Sequence, residues 1–305
     1  MKHTIIEHEK EKWLCRDRVL YSQTLPHEDA EVSFLKKGSI WKKDHVGERA
    51  FVARFTSCFD CGEETDWWYC IKDTPYDINA INAKKRYEII KARRNFRVEK
   101  VDPTAYIDEM YAVLEAAHAA YPAKYRPQTT YESFSKEYIH QGGVEWVVAF
   151  CNNEQDALYG KICGYTITKR QENVVTLVEQ KSIPEMQRNG LNAALIDFIL
   201  LENNTLISER GYIIDGERSV FHQTNFQNYL EKYFGFRKAY CRLHIHPRPG
   251  YGICLRMLYP FRSLLKKWDR NALLHKINAL ILMQDYARKT AATLKNTQKE
   301  ILCKK

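Results

Sequence analysis

The chain has 305 residues, of which 45% are hydrophobic and 28% charged, with a formal net charge of +9. That balance excludes a disordered or low-complexity chain, and no run reaches the ~18 uninterrupted apolar residues of a membrane span. The charge is uneven: residues 248–305 hold 13 Lys and Arg against 3 Asp and Glu, whereas the rest holds 34 against 35.

The polar start, MKHTIIEHEKEKW, does not read as a secretory signal, so a cytoplasmic protein is expected. Residues 1–35 read as a polar lead-in with a short helix over 7–16. Three strand-like runs follow at 38–42, 49–56 and 66–72, each bounded by Gly or Asp and rich in aromatic or β-branched residues. Nine scattered cysteines suit a reducing compartment. Cys58 and Cys61 form a short pair, but no second pair completes four ligands, so no metal is expected. In Trp67-Trp68-Tyr69, alternation sends neighbours to opposite faces, which favours packing over a stacking platform.

Residues 78–96 read as a helix with Ile78, Ile81, Tyr87, Ile89, Ile90 and Ala92 on its apolar side. Lys84, Lys85, Arg86, Lys91, Arg93 and Arg94 crowd the remainder. A strand at 98–101 ends at Asp102-Pro103, where a domain boundary is expected. Helices at 104–120 and 130–140 come next, then strands at 145–151, 161–169 and 173–183. A helix at 187–203, a strand at 211–216, a helix at 220–233 and strands at 238–245 and 252–258 complete the run. This order predicts a mixed α/β sheet flanked by helices.

From residue 259 the tail reads as basic amphipathic helices, broken at Asp269-Arg270-Asn271. Phe261, Leu264, Leu265, Trp268 and Ile277 mark the apolar side; Arg262, Lys266, Lys267, Arg270 and Lys276 mark the other. Residues 259–289 can pack on the preceding domain or lie in a membrane interface. The expected organisation is 1–102, 103–258 and a 259–305 tail.

Chemistry concentrates in residues 174–195, VVTLVEQKSIPEMQRNGLNAAL. A strand enters a Pro184 turn that opens a helix after Gln187-Arg188-Asn189-Gly190. A helix start presents free backbone N–H groups and a positive dipole end, which suits an anion. Gly190 allows close backbone approach.

This order and motif resemble the GNAT acyltransferase superfamily over residues 104–258. Its acyl-CoA loop follows Q/R-x-x-G-x-G/A at such a junction, and Gln187, Gly190 and Asn192 hold those positions here. Asn192 departs from the family's Gly or Ala. FHQTNFQNYLEKYFGF supplies the helix Tyr and the Gly235-Phe236 that the family places before its next strand. Residues 81–101 are also similar to a segment of the Fem-type acyltransferases, patterned L-x-x-K-x-R-x-x-I-x-K-A, through Lys84, Arg86, Ile90, Lys91 and Ala92. The region before the GNAT-like part then reads as a short half-GNAT.

The resemblance implies an acyltransferase that takes its acyl group from acyl-CoA. The acceptor is an amine or hydroxyl on a small or glycan-linked molecule. The donor would lie along Lys181, Ser182, Ile183, Gln187, Arg188, Asn189, Gly190, Leu191 and Asn192, with Asn225 touching its arm. Amides around residues 181–183 would meet the acyl oxygen, Glu179 would serve as base, and Tyr229 or Tyr233, with Tyr229 preferred, as acid. Glu179 reads equally as a solvent-facing residue, and Asp215 as a cleft or turn residue. Two alternatives stand beside this reading: a Fem-like aminoacyltransferase fed by tRNA, whose phosphates would track the basic residues of 84–100, and a non-catalytic binding protein.

Overall fold

The computed structural model describes residues 4–8, 11–41, 50–123, 126–220, 225–267 and 272–303. Its strands are β1 (Thr4–His8), β2 (Glu11–Arg16), β3 (Val19–Ser22), β4 (Val52–Ser57), β5 (Trp68–Lys72), β6 (Phe96–Val101), β7 (Glu145–Cys151), β8 (Ile162–Gln171), β9 (Val174–Ser182), β10 (Tyr212–Glu217), β11 (Arg237–Tyr240) and β12 (Arg242–Pro247). Its helices are α1 (Ser33–Lys37), α2 (Ala83–Asn95), α3 (Ile107–Ala119), α4 (Tyr131–Ser133), α5 (Pro184–Gln187), α6 (Leu191–Glu202), α7 (Asn204–Ser208), α8 (Asn225–Phe234), α9 (Tyr251–Leu258), α10 (Arg262–Lys267) and α11 (Ala272–Cys303). Two mixed sheets run β1-β2-β3-β4-β12 and β11-β5-β10-β9-β8-β7-β6.

The chain divides into two compact units: residues 1–69, 217–224 and 238–305, and residues 70–216 and 225–237. The boundary expected after residue 102 therefore lies elsewhere. Ile89, Ala92 and Phe96 share one apolar core with Leu191, Leu195 and Ile199, so α2 and β6 belong with the strands that follow them. The tail expected as a separate region belongs to the first unit, where α11 packs along β12 and buries Ile281, Met283 and Thr290.

In the first unit, Thr4–His8 and Glu11–Arg16, where a helix is expected, pair as antiparallel strands. Trp13 and Cys15 are buried while their neighbours are not, the period of a half-buried strand. Ser39–Trp41 is a 3₁₀ turn, not a strand; Lys42 and Arg49, the ends of two expected strands, lie outside the described residues. Trp13, Leu20, Phe34, Leu35 and Ile40 make this unit's core. Trp67 and Trp68 part as alternation requires. Trp67 is fully buried and donates to Glu217, which also pairs with Arg54. Trp68 stacks with Arg218 and Lys238, whose cations lie 4.4 and 4.6 Å from its ring. The segment 251–258, expected as a strand, is helix α9. Its Leu-Arg-Met-Leu end favours helix, and among the described residues β12 is the edge strand of its sheet, next to β4.

In the second unit, the expected strands at 145–151, 161–169, 173–183 and 211–216 appear as β7 to β10, and the expected helices as α3, α6 and α8. The 130–140 helix is one α-turn followed by a π-turn at Phe134–Tyr138. The architecture is a mixed sheet with helices on its faces, as the sequence predicts.

Candidate functional site

Strand β9 organises the site. It pairs antiparallel with β8 as far as Ser182, but its parallel ladder with β10 ends at Ile214↔Thr176. Beyond Thr176, β9 has an open edge. A register shift marks the start of this opening: Glu179 faces Ile167 and Leu177 faces Thr168, so Val178 has no partner on β8. Such a bulge bends the strand and re-aims its side chains. Val178 is accordingly exposed at the cleft. The cleft encloses about 370 Å³ and is lined by Leu177, Val178, Glu179, Gln180, Ser182, Gln187, Asn192, Asp215 and Phe226.

After the bulge, β9 sends alternate side chains to opposite faces. Gln180 and Ser182 turn toward α6. Gln180 accepts from Thr166 Oγ1 at 3.1 Å and donates to Asn192 Oδ1 at 2.9 Å. Gln187 donates to Ser182 Oγ at 3.0 Å. Glu179 and Lys181 turn the other way and form an ion pair of 2.7 Å. His118, buried on α3, feels both charges. Burial pushes its imidazole below the usual value; Lys181 pushes the same way and Glu179 opposes.

The ladder also decides which backbone amides face the cleft. Ile183 N–H is already bonded to Cys163 C=O at 2.9 Å. In an antiparallel pair, alternate residues point their polar groups toward the partner. Lys181 therefore points its N–H to β8, and Gln180 and Ser182 point theirs to the open edge. Of the amides expected at residues 181–183, Ser182 alone is aimed at the cleft, and Gln180 joins it.

The helix start is built differently from the sequence expectation. Gly190 caps α6 with φ 92°, left-handed backbone that favours glycine. A Cβ there would stand 2.8 Å from Ala92 Cβ, so the close approach it permits is to α2. The N–H of Asn189 bonds Met186 C=O, and its own C=O accepts from Asn95 Nδ2 at 2.9 Å. Leu191 is fully buried, against Gly164 of β8, where a Cβ would meet its side chain at 3.0 Å. Arg188 is exposed and outside the cleft lining. Gln187 and Asn192 face the cleft; Asn189, Gly190 and Leu191 fasten the helix. No side chain caps α6, so its first-turn N–H groups remain to be met from the cleft side.

The joint between α2 and α6 continues at Asp197. This buried carboxylate accepts from Tyr76 Oη at 2.6 Å and from Arg93 at 2.7 and 2.8 Å. Other cations of 84–100 are also engaged. Lys85 reaches the Lys232 carbonyl, Arg86 the Asn79 carbonyl, Arg97 pairs with Glu99, and Lys100 with Glu145 and Glu202. That helix ends at Asn95, and β6 takes the rest.

Asp215 lies in β10, on the cleft wall. Burial pushes its carboxyl up to about 7, and a hydrogen bond from Gln227 of α8 holds it back. Tyr229 stands apart from the cleft lining. It packs with Phe226, Tyr233 and Phe234 at ring distances of 6.0, 5.0 and 5.7 Å, and burial pushes its phenol well above the usual value. Asn225 is exposed at the start of α8 and is likewise absent from the lining, while His222 lies outside the described residues. Sequence reasoning missed His118, although Met110, Leu114 and His118 share the i, i+4 stripe that would have found it.

No protein-family model matches the sequence, and no curated protein sequence does. Solved structures do match. One is the C-terminal domain of a protein assigned as a lysylphosphatidylglycerol synthetase from Agrobacterium fabrum, 14% identical, covering 84% of this chain and 86% of that one at a TM-score of 0.51. Another is FemX, 10% identical, covering 83% and 90% at a TM-score of 0.53. At these identities the likeness is one of fold, and the fold of this chain is that of the GNAT-like acyltransferases, Fem-type members among them.

Proposed function

We propose that the second unit is an acyltransferase whose acyl donor lies along the open edge of β9. The observation that carries this reading is the end of the β9–β10 ladder at Thr176. It leaves amide donors, an elevated carboxylate and an uncapped helix start around one cleft. The donor is an acyl thioester, acyl-CoA, which presents a carbonyl carbon with a good thiolate leaving group. An amine or hydroxyl of a small or glycan-linked acceptor attacks that carbon. The new C–N or C–O bond forms as the C–S bond breaks. N–H groups of Gln180 and Ser182 meet the carbonyl oxygen as it gains charge. Asp215, poised near neutrality, takes the acceptor's proton. Glu179 is held by Lys181, which leaves Asp215 to accept the proton.

The fit of the donor's pyrophosphate turns on Asn192. Its side chain is drawn back to Gln180, leaving the first-turn N–H groups of α6 as the anion's partners. Asn192, where the acyl-CoA loop pattern has Gly or Ala, favours a second reading in which the donor is an aminoacyl ester carried on tRNA. A thermal-shift series separates the two. A thioester donor at about 100 times its Kd stabilises the fold by about 2.7 kcal/mol. Acyl-CoAs that give no shift, beside an aminoacyl-nucleotide analogue that does, would transfer the assignment to the second reading.

A further inference from the structure

A surface of the first unit has no part in that cleft. Helix α9 has no buried residue, although Tyr251, Ile253, Leu255, Met257 and Leu258 make it strongly apolar. A 3₁₀ turn at Tyr259–Phe261 and α10 continue it with helical backbone at both junctions. Ile253, Met257, Phe261 and Leu264 are 64%, 68%, 58% and 48% exposed. Their spacing of four, four and three places them along one side of a helical path. Exposed apolar residues scattered singly, such as Ile5 and Leu201, need no explanation; a continuous row calls for one.

The other side of the segment is fastened. Tyr259 donates to Asp285 of α11 at 2.6 Å, and the guanidinium groups of Arg262 and Arg288 lie 4.6 and 3.8 Å from its ring. Asn278 of α11 donates to the Leu265 carbonyl at 3.0 Å. The Tyr251 ring stacks on Phe51 at 4.8 Å. The row is thus held outward by a fixed base.

Charge names the occupant. From residue 248 to 267 the sequence carries Arg248, Arg256, Arg262, Lys266 and Lys267 and no acid. An apolar row on a segment whose own charges are all cations matches an anionic lipid surface, whose headgroups meet the cations while acyl chains take the row. Among the described residues no helix is long and apolar enough to cross a membrane, so the contact is peripheral. We propose that residues 251–264 dock this protein on anionic membrane surfaces. The surface is shorter than, and mostly ahead of, the 259–289 stretch that periodicity suggests, because α11 spends its apolar residues Ile281 and Met283 within the fold.

The test uses the full chain and two kinds of vesicle, phosphatidylcholine alone and equal parts phosphatidylcholine and phosphatidylglycerol. At low salt the chain pellets with the anionic vesicles and stays in solution with the neutral ones; high salt releases it. Met257→Ser with Phe261→Ser lowers the affinity about tenfold or more, through lost apolar burial. Arg256→Glu lowers it about fivefold or more on anionic vesicles, the loss expected for one cation near such a surface. Circular dichroism checks that both variants remain folded. Three results would overturn the proposal: no pelleting of the natural chain at low salt, undiminished pelleting of the folded Met257→Ser/Phe261→Ser variant, or a soluble dimer that the same variant dissolves. The last would assign the row to a second copy. Donor binding in the β9 cleft is measured separately, so failure here leaves the acyltransferase reading untouched.

Discussion

Two regions of the second unit each hold an aspartate, Asp197 buried and Asp215 half-buried on the cleft wall, and they treat it in opposite ways. Asp197 lies at the α2–α6 joint with three hydrogen bonds, two from Arg93 and one from Tyr76. Asp215 lies on the cleft wall, its carboxyl raised by burial and opposed only by an amide of Gln227. A carboxylate that is fully paired fixes structure; one that is desolvated with little compensation becomes a proton-transfer group near neutral pH. The cleft is therefore read from the aspartate with one hydrogen-bond partner, and the joint from the one with three hydrogen bonds.

The sharpest way to break that contrast is to remove each charge in turn. Asp215→Asn lowers turnover by about 10²–10⁴-fold, the usual worth of a general base. The natural enzyme should gain activity as pH rises through about 7, where the carboxyl loses its proton. Stability moves the other way. The folded state binds this proton more tightly than an unfolded chain, whose carboxyl titrates near 3.8. Between about pH 4 and 7 the native protein holds the extra proton, so stability falls as pH rises across that window. Denaturant melts at several pH values should show this slope in the natural chain and a flatter one in Asp215→Asn. An Asn variant that turns over normally, or keeps the slope, would remove Asp215 from the chemistry.

Asp197→Ala tests the other side. It strands Tyr76 and Arg93, and breaking a buried pair costs about 3–5 kcal/mol. Arg93's side chain is 40% exposed, which brings the expected loss to about 2–3 kcal/mol. Urea titration measures it. A loss below about 1 kcal/mol would mean that the joint depends on apolar packing alone.

Next in size is the contact that seats the helix start. Gly190→Ala forces a side chain into left-handed backbone and against Ala92, at a cost of about 2 kcal/mol. Ala92→Gly removes the opposing methyl. In a double-mutant cycle the pair should be less destabilised than the sum of the single changes. Strict additivity would show that backbone strain alone makes Gly190 necessary. Gly190→Val, the natural choice from sequence, damages the α2–α6 joint as well as any ligand contact, so it does not isolate donor binding.

Much of this fold was legible in the residues. The strands at 145–182 declare themselves through runs such as EWVVAFC, buried on both faces, and the junction at Pro184 marks where β9 hands over to helix. What was not legible depends on partners far along the chain. Nothing in residues 187–192 says that Ala92 fills the space beside Gly190, or that Gln180 draws Asn192 back to the strand. The open edge is invisible for the same reason: β9 reads as one continuous strand, and only its pairing shows that β10 leaves it at Thr176. In the sequence Asp215 reads equally as a cleft or a turn residue, because desolvation is a property of its surroundings. Helix α9 was misread because a short apolar run has no decisive period, and nothing covers it to impose one.

The smallest expected effect belongs to Tyr229, and its smallness is informative. The family resemblance makes this residue an acid for the departing thiolate. An acid must reach the leaving group and give up its proton at a useful pH. Tyr229 is packed among Phe226, Tyr233 and Phe234 rather than along the cleft, and burial raises its phenol far from neutrality. A thiolate leaves without help far more readily than a phenol this basic would give up its proton. Tyr229→Phe keeps the ring contacts and deletes one hydroxyl, so turnover should stay within about threefold and stability within about 1 kcal/mol. Tyr233→Phe serves as the control from the same aromatic row. A loss of tenfold or more in Tyr229→Phe alone, with the melting temperature unchanged, would place the hydroxyl at the reacting sulfur and shift the acid from solvent to α8.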